Sequence, residues 1–143
     1  MKNIILILAL NILMLSCITQ INAQSVSEYN TGKKQITVSD GKASDYSTGK
    51  TQCKCENNHI SDYSTGKNLF TIENNSLSDY STGKKLFVFD NTYISEYATG
   101  KRRYKIDSNA ISVYSTGKKL YTLQGAYSNC ELFMILYKLD LLN

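Results

Sequence analysis

From Ser27 to Leu123 the apolar residues fall into short alternating runs that recur every 17 positions. The beat is kept by Ser-Asp-Tyr-Ser-Thr-Gly-Lys at Ser44–Lys50, Ser61–Lys67 and Ser78–Lys84, with looser copies starting at Ser27, Ser95 and Ser112. Between copies lie runs such as Leu69-Phe70-Thr71-Ile72 and Leu86-Phe87-Val88-Phe89. Their length and turn-bounded spacing are those of strands rather than helices. Each unit has two turn signals. One is Ser-Thr-Gly; the other is Asp40-Gly41, Asn57-Asn58, Asn74-Asn75, Asn91-Thr92 or Ser108-Asn109. Asp-Gly and Asn-Asn favour two-residue type I′ hairpins, because both central residues need positive φ. Ser-Thr-Gly suits a three-residue loop with glycine in the left-handed conformation. One unit is then two strands and two turns. The expected fold is mainly β: an antiparallel meander of six two-strand repeats over residues 24–127, arranged radially or closed.

Turn lengths set register. A two-residue turn at Asn74-Asn75 places Ile72 opposite Leu77 and Phe70 opposite Asp79. A three-residue loop at Ser81–Gly83 places Tyr80 opposite Lys84 and Asp79 opposite Lys85. One face then collects Phe70, Ile72, Leu77, Asp79, Lys85, Phe87, Phe89, Ile94 and Glu96; the other collects Leu69, Thr71, Ser78, Tyr80, Lys84, Leu86, Val88, Ser95 and Tyr97. On the first face the register pairs Glu28 with Lys34, Asp79 with Lys85 and Glu96 with Arg102. Apolar residues gather near the Asn/Asp turns and charges near the Ser-Thr-Gly turns, which suits hairpins radiating from an apolar centre.

After Leu123 the rhythm stops. Ser128 followed three residues later by Glu131 is a capping box, and the run from Leu132 to Leu142 is apolar almost all round. Residues 128–143 are therefore expected to form a helix that plugs or caps the apolar face of the repeats, with docking on a membrane as the other reading.

The start of the chain alters the picture. Lys2, the apolar stretch Ile4–Leu15 and a small residue at Ala23 read as a signal peptide over residues 1–23, so the protein is expected to be exported to the periplasm, cell surface or exterior. Cleavage and lipidation at Cys17 is the competing reading. Of 16 Lys and Arg only Lys2 lies in this leader, leaving 15 cations against 12 acidic residues. So mild an excess permits an anionic partner without arguing for nucleic acid.

Beyond the leader lie Cys53, Cys55 and Cys130, an odd number that makes no disulfide framework by itself. Cys53 aligns with Phe70 and Phe87 of other units, and Cys55 with Ile72 and Phe89, so both read as core thiols. A metal or redox pair at Cys53-Lys54-Cys55 lacks further ligands at fixed spacing. Gly49-Lys50-Thr51 has no glycine at Ser44 for a phosphate loop, and His59, the single histidine, reads as a turn residue. No catalytic residue, metal ligand or cofactor is expected.

The second face stacks Tyr29, Tyr46, Tyr63, Tyr80, Tyr97 and Tyr114 beside Lys33, Lys50, Lys67, Lys84, Lys101 and Lys118. Tyrosine covering lysine stems on a solvated sheet is one reading. A binding surface is the other, with Tyr46, Tyr63, Tyr80, Tyr97, Tyr114, Lys50, Lys67, Lys84, Lys101, Arg103 and Lys118 as the candidates. Units such as LFTIENNSLSDYSTGKKLFVFDNTYISEYATGK resemble those of the small bacterial tandem-hairpin proteins called β-flower proteins. That resemblance implies hairpins set radially around a core and implies no activity. The expected role is an exported scaffold or binding module whose partner is an envelope polysaccharide, an anionic lipid or a protein. The alternative is a structural protein assembling through exposed sheet edges; an enzyme is the remote one.

Overall fold

The computed structural model describes residues 24–143. The signal-peptide and Cys17 readings lie outside them. Twelve strands follow in order: β1 (Gln24–Glu28), β2 (Lys34–Ser39), β3 (Lys42–Asp45), β4 (Thr51–Glu56), β5 (His59–Asp62) and β6 (Asn68–Glu73). The second half comprises β7 (Ser76–Asp79), β8 (Lys85–Phe89), β9 (Tyr93–Glu96), β10 (Arg102–Asp107), β11 (Ala110–Val113) and β12 (Lys119–Gln124). Each strand pairs antiparallel with the next, and β12 returns to pair with β1, closing a barrel. Closure, rather than the radial arrangement, is what the six hairpins adopt.

The seam resembles the other contacts: Val26 faces Leu123 and Glu28 faces Tyr121. Tyr127, just past β12, donates its hydroxyl to the Ser25 carbonyl at 3.0 Å and the Gln124 carbonyl at 2.8 Å, clasping both sides of the join. Burial pushes this phenol up to about 12.

At the Asn/Asp turns the register is the expected one, with Ile72 opposite Leu77 and Phe70 opposite Asp79. Asp40, Gly41, Asn57, Asn58, Asn74 and Asn75 all have positive φ, as type I′ turns require. The two remaining turns differ: only Asn91 is positive in one, and neither Ser108 nor Asn109 is in the other. A threonine or serine in place of asparagine or glycine makes the doubly left-handed turn costly.

At the Ser-Thr-Gly turns the expected register is wrong by one residue. Gly83 N–H bonds the Asp79 carbonyl and Asp79 N–H bonds the Lys84 carbonyl, both at 2.9 Å, so Asp79 rather than Tyr80 stands opposite Lys84. The loop has four residues, Tyr80–Gly83. Ser78 then faces Lys85, Leu77 faces Phe87, and Leu86 is left over as a β-bulge. Gln35, Gln52, Leu69, Arg103 and Leu120 are skipped in the same way in the other units. A bulge increases local twist and bends its strand, which helps a short-stranded sheet curl into a barrel.

The bulges reassign the charges. Lys85 moves to the outer face with Ser78, and Leu86 packs against the core. Of the three expected ion pairs none forms as drawn. Glu96 pairs with Arg103 at 2.7 Å instead of Arg102, and Glu28 accepts from Gln35 at 2.7 Å instead of meeting Lys34. Asp79 turns to its own loop.

The helix α1 (Asn129–Lys138) starts at the expected box: Ser128 Oγ accepts from Glu131 N–H at 3.2 Å, and Ser128 N–H donates to Glu131 Oε2 at 2.9 Å. It ends with Asp140 left-handed and Leu141 N–H bonded to the Leu136 carbonyl at 2.9 Å, a Schellman-type stop. Five consecutive residues, Leu132 to Leu136, are at most 4 % exposed. A helix can be buried on every side only if it is enclosed, so α1 runs inside the barrel. An eight-stranded barrel has room only for its own side chains, whereas twelve strands leave space for a helix about 10 Å across. Val26, Ile60, Leu77, Ile94 and Ile111, none measurably exposed, line the wall around it.

Enclosure also brings Cys130, at the helix start, to Cys55 in β4, and the two form a disulfide with Cα atoms 6.0 Å apart. Reading Cys55 as a free core thiol is therefore corrected. Cys53 is the buried free thiol expected, and burial pushes it up to about 11.

Candidate functional site

The outer wall near the Ser-Thr-Gly turns carries a ring of tyrosines. Tyr29, Tyr46, Tyr63, Tyr80, Tyr97 and Tyr114 are 44–49 % exposed, so the six stand in nearly equal environments. Main-chain bonds create this regularity. Tyr46 N–H donates to the carbonyl of the bulged Gln35, Tyr63 to Gln52, Tyr80 to Leu69, Tyr97 to Leu86 and Tyr114 to Arg103. Tyr29 completes the ring by donating to Leu120 across the seam. Each tyrosine is thus positioned by the neighbouring unit's bulge.

The residue before each bulge lies over the tyrosine twelve positions on. Lys34 Nζ is 5.2 Å from the Tyr46 ring centre, Lys85 is 5.0 Å from Tyr97, and Lys119 is 5.1 Å from Tyr29 through the seam. Arg102 lies 5.5 Å from Tyr114 and 4.1 Å from Tyr93, the two rings themselves meeting edge-on at 5.3 Å. Where the sequence has Thr51 and Asn68 at this position, a side chain from the other flank substitutes. Lys42 stands 6.0 Å from Tyr63, and His59 meets Tyr80 edge-on at 5.4 Å. Such contacts fix ring orientation while leaving much of each ring accessible.

The expected lysines occupy a different place. Lys50, Lys67, Lys84, Lys101 and Lys118 are exposed just after the loop glycines, and the cations set over the tyrosine rings are others. Arg103 does not join the belt. Besides its bond to Glu96 it donates to the main-chain oxygen of Asn143 at 3.1 Å, tying the end of the chain to the barrel rim. The ring partners Lys34, Lys85, Arg102 and Lys119 are hidden by a three-residue loop, which sorts them to the apolar face, whereas Lys42 meets Tyr63 from the other flank. The doubled cation in Thr-Gly-Lys-Lys and Thr-Gly-Lys-Arg was the available signal.

The aspartates of the motif serve the loops. Asp79 Oδ1 accepts from the Ser81 hydroxyl at 2.7 Å, Thr82 N–H at 2.8 Å and the Thr82 hydroxyl at 2.8 Å. Asp45 and Asp62 repeat the set, and these bonds lower all three carboxyls to about 2. His59 Nδ1 lies 3.2 Å from the Thr71 hydroxyl. Among the described residues no group of three His, Cys, Asp or Glu side chains is placed to hold a metal ion.

A polar hollow of about 660 Å³ opens at the opposite, Asn-turn end, between Asn57, Asn58, Asn74, Asn75 and the start of α1, with Cys55 and Cys130 on its wall. Strands of four to six residues are short of the roughly nine to eleven that cross a bilayer, and the outer face carries serine, lysine and tyrosine. No described helix is long and apolar enough to cross one. The fold and the belt define a twelve-stranded antiparallel meander barrel filled by a C-terminal helix. No family model, no curated protein and no solved structure matches the chain.

Proposed function

We propose that this protein is an exported, non-catalytic binding module whose tyrosine–cation belt takes an anionic, sugar-bearing polymer of the cell envelope. The carrying observation is the ring of six half-exposed tyrosines, each held by a neighbouring bulge. Aromatic faces suit the apolar faces of sugars, and adjacent cations attract carboxylate, sulfate or phosphate substituents. A belt on the curved outer wall favours a flexible chain that wraps over a flat bilayer, which meets only part of the ring at once. Export is supported by Lys2, Ile4–Leu15 and Ala23 and by the Cys55–Cys130 disulfide, a bond at home in oxidising compartments. The short tandem hairpins support grouping the chain with β-flower-like proteins.

The second reading, assembly through sheet edges, is disfavoured by the pairing of β1 with β12, which leaves the barrel no open edge. The test is retention on an immobilised acidic polysaccharide. Retention should fall with salt and weaken stepwise in Tyr63→Ser, Tyr80→Ser and Tyr97→Ser. Equal or stronger capture by anionic vesicles would transfer the reading to a membrane surface. Salt-insensitive self-association untouched by the three changes would replace it with assembly.

A further inference from the structure

Five of the six turns open on a carboxylate: Glu28, Asp45, Asp62, Asp79 and Glu96. The sixth opens on Val113. Its main chain is unchanged, with Gly117 N–H bonded to the Val113 carbonyl and Val113 N–H to the Lys118 carbonyl, both at 2.9 Å. The loop donors thus keep the arrangement that, in the three Asp turns, converges on one oxygen. Here the acceptor is missing. Among the described residues the Ser115 hydroxyl and Thr116 N–H have no hydrogen-bond acceptor, and the Thr116 hydroxyl serves only as acceptor for Lys118 N–H at 3.2 Å.

The charge around this turn points the same way. A second cation follows Thr-Gly-Lys in four units, at Lys34, Lys85, Arg102 and Lys119. The first and last of these units are neighbours only because the barrel closes, so the four make one unbroken arc. Its middle is the pair of turns opening on Glu96 and Val113. Glu96 is occupied by Arg103 and the Thr99 hydroxyl, each at 2.7 Å. Arg102, held by Tyr93 and Tyr114 with Nη1 3.4 Å from the Tyr114 hydroxyl, forms no ion pair among the described residues. Between the two turns is a cleft of about 390 Å³ lined by Lys101, Arg102, Arg103, Tyr104, Val113 and Ser115.

We propose that this cleft is an oxyanion site, where a sulfate, phosphate or carboxylate group receives the loop donors that an aspartate receives elsewhere and is neutralised by Lys101 and its neighbours. It deepens the polymer reading by naming the acidic substituent as the group recognised and Val113 as the residue that opens the site.

The experiment follows amide shifts of the ¹⁵N-labelled protein during titration with inorganic phosphate and, separately, sulfate at low ionic strength. Saturable shifts centred on Ser115, Thr116 and Lys101 are expected. Val113→Asp should supply the missing acceptor and weaken binding by about tenfold or more, through loss of charge-assisted hydrogen bonds and added repulsion. Lys101→Gln, which leaves the turn intact, should weaken it too, whereas Lys67→Gln should not. Shifts spread evenly over all six turns, or affinity unchanged in both Val113→Asp and Lys101→Gln, would overturn the site. Saturable phosphate binding without retention on polysaccharide would keep the site and remove the polymer reading. Retention without localised anion shifts would remove the site and keep the belt.

Discussion

Cys55 and Cys130 are covalently joined across 75 residues of sequence, linking the fourth strand to the first turn of the enclosed helix. The bond restrains the unfolded chain over most of the barrel. By the loop-entropy relation a closure of 75 residues contributes about 4.5 kcal/mol. Replacing both cysteines with serine, or reducing the protein, should lower denaturant stability by that order. Unchanged midpoints with and without reductant would mean that the helix is held by packing alone.

The helix supplies the centre of the core. Phe133 has no measurable exposure, and Phe133→Ala should cost about 3–5 kcal/mol through lost burial and a residual cavity. Removing residues 128–143 should leave twelve strands around an unfilled apolar interior, and the product should aggregate. A soluble truncation that unfolds cooperatively would show that the wall collapses onto itself.

Asp45, Asp62 and Asp79 have carboxyls lowered from the usual 3.8 to about 2, first by the hydroxyl of the serine two residues on. A lowered value means that the ionised form is favoured by folding. The stabilisation is therefore complete above about pH 4 and lost as pH falls toward 2. Carboxyl carbon NMR should show these three titrating together near 2. Midpoints near 3.8 would deny the loop bonds. Asp79→Ala should selectively accelerate amide exchange at Thr82 and Lys84.

The bulge makes a distinction that a double-mutant cycle can read. Glu96 and Arg103 should show coupling, because they are in contact at 2.7 Å, whereas Glu96 and Arg102 should show none. Fluorescence or NMR signals from Tyr114 should respond to Arg102→Ala and not to Arg103→Ala. The opposite pattern would restore the bulge-free register.

Much of the fold is legible because its determinants are local. Asn74-Asn75 dictates a two-residue turn, and that turn alone sets Ile72 against Leu77. Ser128 and Glu131 lie within one helical turn and cap it without help. Cys53 was placed correctly by alignment with Phe70 and Phe87, since equivalent repeat positions meet equivalent surroundings. The Ser-Thr-Gly turn resisted because its glycine bonds the carbonyl four residues back in the Val113 turn as in the Asp79 turn, and residue types do not distinguish that four-residue loop from a three-residue one. The missing fourth loop residue displaced Lys85 and Arg102 to the wrong face and hid their contacts with the tyrosines.

Sequence by itself determined the strand-and-turn period, the sorting of apolar residues to one face and the capped helix, since each depends on neighbours a few positions apart. Only the tertiary structure decided that Gln24–Glu28 meets Lys119–Gln124, that the helix lies within the wall, and that Cys130 reaches Cys55. Those outcomes depend on how six bulged hairpins accumulate twist and on the width they enclose. That is a property of the whole ring, and no single repeat contains it.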